Sequence, residues 1–138
     1  MLRPLSIFTL LCLSIPPLAH GHDLKLVVRN LSEPGGTLNW MMFDSAQSYD
    51  AGDNSVASGR HRVTGDTIEL TLHGLPDGTY AVRLFHDENN NGELDTNLLG
   101  IPREGYGFSN NSGERGPASF DDAAVAVHGD QTIEIRVR

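Results

Sequence analysis

From Leu24 onward, apolar and polar residues alternate with a period of two, the pattern of strands with one buried face. Leu24, Leu26 and Val28 share one face, with Lys25 and Arg29 on the other. Leu38, Trp40 and Met42 repeat the pattern, as do Ile68, Leu70 and Leu72 against Thr67, Glu69 and Thr71. Tyr80, Val82 and Leu84 follow, with Arg83 facing out. Val125 and Val127 come next, then Ile133, Ile135 and Val137 against Thr132, Glu134, Arg136 and Arg138. Gly59 to Val63 is a weaker run. Turn-formers separate the runs at Glu33-Pro34-Gly35-Gly36, Gly65-Asp66, Pro76-Asp77-Gly78 and His128-Gly129-Asp130. Helical periodicity is absent over any long stretch, and the polar segment 44–58 reads as a loop with room for one helical turn. About seven short strands with these breaks predict an all-β fold, an antiparallel β-sandwich of the Ig-like or transthyretin-like Greek-key kind.

Tyr80 begins its strand directly after Leu75-Pro76-Asp77-Gly78-Thr79. Two readings stand side by side. It is a tyrosine corner, returning its hydroxyl to the backbone of the preceding turn, or a buried aromatic after an ordinary turn. Both make it structural.

The segment ahead of the strands has another character. Met1-Leu2-Arg3 is a short basic start, Leu5 to Leu18 is apolar but interrupted by Pro16-Pro17, and Ala19-His20-Gly21 has the small residues of a cleavage site. The run falls short of the roughly 20 apolar residues of a membrane span. Cys12 follows Leu11, where a lipoprotein signal needs a small residue. The expectation is a signal peptide over residues 1–21 and one β-sandwich domain over 22–138, periplasmic or secreted and not an integral membrane protein. Past Gly21 the chain has no cysteine, which suits a bacterial periplasm or surface better than a disulfide scaffold. It carries nine Lys and Arg against eighteen Asp and Glu, a net charge of −9 with His neutral. Such a surface repels phosphates and argues against nucleic acid, while suiting a divalent cation.

The densest candidate chemistry is Asp87-Glu88-Asn89-Asn90-Asn91-Gly92-Glu93-Leu94-Asp95. Oxygen side chains fall at loop positions 1, 3, 5 and 9, with Gly at 6, as in the front half of an EF-hand-type calcium loop. Ca²⁺ takes six to eight hard oxygens, so alternate residues of a curled loop point inward together. Asp87, Asn89, Asn91 and Asp95 supply side chains, and Glu93 its carbonyl at position 7. Leu94 anchors the loop to the core. Position 12, normally a bidentate Glu, is Leu98. Glu104 is the nearest replacement carboxylate, and Asp121-Asp122 the next. The opposing reading is a metal-free turn, since Asn, Asp and Gly form turns by bonding their own backbone.

The run Gly78 to Val82 through His86 to Asp95, then Gly100-Ile101-Pro102-Arg103-Glu104-Gly105-Tyr106-Gly107-Phe108-Ser109-Asn110-Asn111 and the trailing 117–123, resembles a bacterial family of exported proteins known as domain of unknown function 2141. The resemblance implies a small exported β-sandwich of unassigned role and carries no catalytic residue over. The loop is also similar to calcium loops of β-sandwich repeats in Gram-positive adhesins. Asp87, Asn89, Asn91, Gly92, Asp95, Gly100 and Ile101 keep that register, whereas Leu98 stands in place of Glu.

Other residues add less. His86 shares the parity of Tyr80, Val82 and Leu84, so it is either a satisfied core histidine or a group orienting Asp87 or Glu104. His22, as a new N-terminus, offers an amine and an imidazole to copper, but no second histidine can be assigned. Ser109 lacks the Gly-x-Ser-x-Gly elbow of serine hydrolases. Tyr106 and Phe108, flanked by glycines, are candidates for a surface contacting a sugar or a protein, with Phe108 alternatively closing the sandwich. The sequence thus predicts an exported, non-enzymatic module of unassigned role, with a calcium-stabilised loop and an unknown protein or glycan ligand. The alternative is a hydrolase of cell-envelope or extracellular polymer using Asp87 or Glu104 as its acid.

Overall fold

The alternating runs become strands that pair into two layers. The structure, a computed structural model, describes residues 20–32 and 34–138, so the expected leader lies outside it except for His20 and Gly21. Its elements are β1 (His22–Arg29), β2 (Thr37–Phe43), α1 (Ala46–Ala51), β3 (Ala57–Arg62), β4 (Thr67–Leu75), β5 (Gly78–Asp87), β6 (Tyr106–Phe108), a 3-10 turn (Ser109–Asn111), α2 (Phe120–Ala123), β7 (Ala124–Val127) and β8 (Gln131–Arg136). One sheet has the order β4-β1-β8. The other runs β3-β2-β5-β6, with β7 also on β5. The fold is an all-β sandwich.

The strands count eight among the described residues, one more than the sequence indicates. The addition is β6, three residues around Gly107 and too short to show a period. Pairing is antiparallel throughout except that β8 lies parallel to β1. The turn 128–130 explains this departure from a purely antiparallel expectation. There the chain leaves β7 in the five-stranded sheet and enters β8 in the three-stranded one, so β8 is not the hairpin partner of its predecessor.

Between the sheets, Leu24, Leu26, Val28, Leu38, Trp40, Met42, Val82, Leu84 and Ile135 form the main core. Each fully buried aliphatic side chain stabilises this contact by about 1.5–3 kcal/mol before entropy is counted. Tyr80 takes the tyrosine-corner geometry, its hydroxyl donating to the Pro76 carbonyl at 2.8 Å. Segment 44–58 holds α1, one short helix capped by the Ser45 side chain at its start and left-handed Gly52 at its end.

The two outer faces differ. On the three-stranded sheet Lys25 pairs with Glu69, and Arg29 and Arg136 share Glu134. On the five-stranded sheet the outward residues include Met41, Phe43, Ala81, Phe85 and Phe108. Part of that face is covered: Phe43, Tyr49, Ala81, Ala118 and Ala123 form a second core under α1 and α2. The rest is open.

Candidate functional site

The acidic loop leaves the end of β5 and is held by its own side chains. Asp87, fully buried, accepts the Asn91 N–H at 3.1 Å with one oxygen and the Gly92 N–H at 2.8 Å with the other. The side-chain oxygen of Asn89 accepts from the Asn91 N–H, and that of Asn91 from the Glu93 N–H. These are successive Asx turns. Gly92 sits at φ +82°, a conformation that favours glycine. The amides of Asn89 and Asn91 donate to the two oxygens of Asp95 at 2.5 and 2.8 Å.

Glu104 reaches the same loop from the returning chain. It is buried, and its two oxygens accept the N–H groups of Glu88 at 2.9 Å and Asp95 at 3.0 Å. Asp95 returns a carbonyl to the Arg103 N–H. The structure therefore brings Asp87, Asn89, Asn91, Asp95 and Glu104 into one bonded unit, with the Glu93 side chain exposed at its edge. Among the described residues no three of His, Cys, Asp and Glu converge as a metal centre of those side chains requires. A cation there must draw on the asparagine oxygens and backbone carbonyls. Asp121 and Asp122 are elsewhere, and Asp122 closes a capping box with Ser119 on α2.

Beyond Asp95 the chain makes a second turn. The Asn97 side chain accepts the N–H groups of Leu99 and Ile101. Leu98 at its tip is fully exposed, with Leu99 and Ile101 also exposed. Leu98 is thus neither a core residue nor aimed into the loop. Leu94 is half-buried.

His86 is fully buried and its ring hydrogen-bonds to neither Asp87 nor Glu104. Its Nε2 donates to the Gly35 carbonyl at 2.7 Å, and its Nδ1 has no partner. It ties the β1–β2 turn to β5. His22 lies against Asp77, with His128 3.9 Å from the other oxygen of Asp77. Ser109 is buried, accepting the Val82 N–H and donating to the Ala123 carbonyl. It pins β5 to α2.

Tyr106 and Phe108 open onto the uncovered sheet face. Cross-strand register there builds two rungs: Arg60, Asn39, Phe85 and Tyr106, then Ser58, Met41, Arg83 and Phe108. The Tyr106 and Phe108 rings meet edge-on, 6.0 Å between centroids. Leu94, Ile101 and Pro102 from the acidic loop's arm wall one side, and Arg115 to Pro117 wall another, enclosing a cleft of about 910 Å³. Neither Asp87 nor Glu104 lines it. Sequence reasoning passed over Arg60, Arg83, Arg115, Met41 and Phe85. A signal existed: β2 and β5 are apolar at Met41, Phe43, Ala81 and Phe85, on the parity that should face water.

Fold and site together define a small all-β sandwich with a backbone-capped acidic loop beside an open sheet face. The chain belongs to a bacterial family described as "Uncharacterized protein conserved in bacteria (DUF2141)", whose model matches residues 26–135. That span includes the acidic loop and both rungs. No curated protein and no solved structure matches the chain. Among the described residues no helix is long and apolar enough to cross a membrane.

Proposed function

We propose that this chain is an exported binding module, not an enzyme, and that its ligand sits on the outer face of the five-stranded sheet. The observation that carries this is the pair of rungs with Phe85, Tyr106, Met41 and Phe108 left open between two walls, while the opposite sheet covers its face with ion pairs. Clefts that bind small molecules have this size and this mainly apolar lining with a few polar groups. The loop carboxylates support binding over catalysis, because Asp87 and Glu104 spend both oxygens on backbone N–H groups and neither residue lines the cleft. The expected leader supports export.

Calcium enters this proposal as a stabiliser of the wall. The side chains of Asn89 and Asn91, at positions 3 and 5 of the loop, already converge on Asp95. Reversing the Asn89 and Asn91 amides would present oxygens beside the Asp95 carboxylate. Such a site is weakly charged, and its affinity is correspondingly low.

The neutral fluorophore N-phenyl-1-naphthylamine tests the cleft. Saturable fluorescence enhancement with the folded chain, weakened by Phe85→Ala and by Tyr106→Ala, is the expected result. Enhancement that appears only on unfolding, or that both variants leave untouched, removes the cleft as the binding site. Fractionation of cells expressing the full chain tests export.

A further inference from the structure

We infer that the outer-face cleft selects an anionic amphiphile, a free carboxylate carried on an apolar body; this rests on the cleft being the binding site. The chain is acidic overall, at −8. Yet Arg60, Arg83 and Arg115 line this cleft, and no Asp or Glu does. Its local charge therefore opposes that of the molecule as a whole.

The arginines are also uncommitted to carboxylates. Lys25, Arg29 and Arg136 on the other sheet all have acidic partners. Arg60 and Arg115 are exposed, and their side chains make no ion pair or hydrogen bond with any described residue. Arg83 is held in place instead. It donates to the Tyr49 carbonyl at 3.1 Å and lies over the Phe43 and Tyr49 rings at 4.9 and 5.3 Å. Its guanidinium is thus held against α1, beside Tyr49 and Gly52, while the residue lines the cleft, so the charge free to meet a ligand is that of Arg60 and Arg115.

The rungs give the ligand an orientation. Arg60 stands at the β3 end of the first rung, and Phe85 and Tyr106 stand at the other. A guanidinium fork grips a carboxylate through two parallel N–H bonds. The apolar body then lies across Phe85, Tyr106 and Phe108 toward Ile101 and Pro102. A cationic amphiphile meets like charge, and a neutral one leaves the guanidiniums unanswered. A polyanion is disfavoured because the rest of the surface repels it.

Displacement of N-phenyl-1-naphthylamine from the full chain by three twelve-carbon competitors tests this. Dodecanoate should displace the fluorophore at about tenfold lower concentration than dodecanol, the gain of a charge-assisted contact, and dodecyltrimethylammonium should be weakest. Arg60→Gln combined with Arg115→Gln, its fold checked by melting temperature, should bring the dodecanoate-to-dodecanol ratio close to one. Arg103→Gln, outside the cleft, should keep the wild-type ratio. Equal displacement by dodecanoate and dodecanol, or a preference that survives in the double variant, overturns the inference while leaving the cleft as a binding site. Failure of the fluorophore to bind, or its indifference to Phe85→Ala, overturns the binding reading and this inference with it.

Discussion

Asp87 and Glu104 close one loop from opposite sides, Asp87 through the N–H groups of Asn91 and Gly92 and Glu104 through those of Glu88 and Asp95. Seventeen positions apart in sequence, they do the work that a strand ladder does elsewhere, satisfying backbone donors where the chain leaves regular structure. Both carboxylates are buried, so each depends on these bonds to offset its desolvation.

Glu104→Gln is therefore expected to destabilise the protein. One amide nitrogen would face an N–H that now meets an oxygen. A buried donor left without an acceptor costs about 1–3 kcal/mol. Asp87→Asn should cost a similar amount for the same reason. Urea denaturation reads both. Wild-type stability in Glu104→Gln would mean that the bonds to Glu88 and Asp95 are not maintained in solution.

Calcium should raise the melting temperature through Asp95 and the reversed amides of Asn89 and Asn91. At a hundredfold excess over the dissociation constant, linkage gives about 2.7 kcal/mol. Asp95→Asn is the informative variant, because it removes charge from the ring while Asp87 and Glu104 keep the backbone bonds. The gain should vanish in that variant and on adding chelator. A melting curve indifferent to millimolar calcium would leave the loop as a turn held by its own asparagines.

The two leucines at the tip of the second turn offer a contrast. Leu98 and Leu99 are exposed, and the turn is formed by Asn97. Leu98→Ser and Leu99→Ser should each change stability by no more than about 0.5 kcal/mol, the range for surface positions. Asn97→Ala should cost more, since two N–H groups lose their acceptor. A large effect at Leu98 and none at Asn97 would contradict this placement.

The β-sandwich was legible because burial on one face imposes a period of two, and Leu24, Leu38, Leu70, Val82 and Ile135 all obey it. The asparagines of the loop were legible as turn-formers from side-chain chemistry alone. Three things were not. Tyr106-Gly107-Phe108 is too short for periodicity, and its role as β6 depends on a close approach to β8, where the Ile135 side chain and the Arg136 carbonyl leave no room for a Cβ at position 107. The parallel β1–β8 pair depends on where the chain changes sheets, which local sequence does not encode. The gathering of Arg60, Arg83 and Arg115 depends on the register of β3, β2 and β5, and on a wall more than thirty positions from Arg83 in sequence. Glu104 stood out as a carboxylate near the loop, but sequence does not say whether a carboxylate faces a cation or a backbone N–H.

Tyr80 carries the last prediction. Its hydroxyl donates to the Pro76 carbonyl, fixing the turn that enters β5, and Tyr49 likewise donates to the Ala118 carbonyl at 2.9 Å. Burial raises both phenols above their ordinary value, reinforced at Tyr80 by the negative charges of Asp44 and Asp77 and partly opposed at Tyr49 by Arg83. The fold thus favours the protonated form, which is also the form that can donate. This contribution is complete below the unfolded tyrosine value, near 10, and is lost as pH rises through the higher folded values. Stability should decline on the alkaline side for this reason, and Tyr80→Phe should make the decline shallower while costing about 1 kcal/mol at neutral pH. Tyr49→Phe should act in the same direction. Melting temperatures across the alkaline range for wild type and both variants provide the measurement. If Tyr80→Phe reproduces the wild-type slope and neutral stability, the corner hydroxyl is not bonded to Pro76 in solution, and the turn is held by packing of the ring alone.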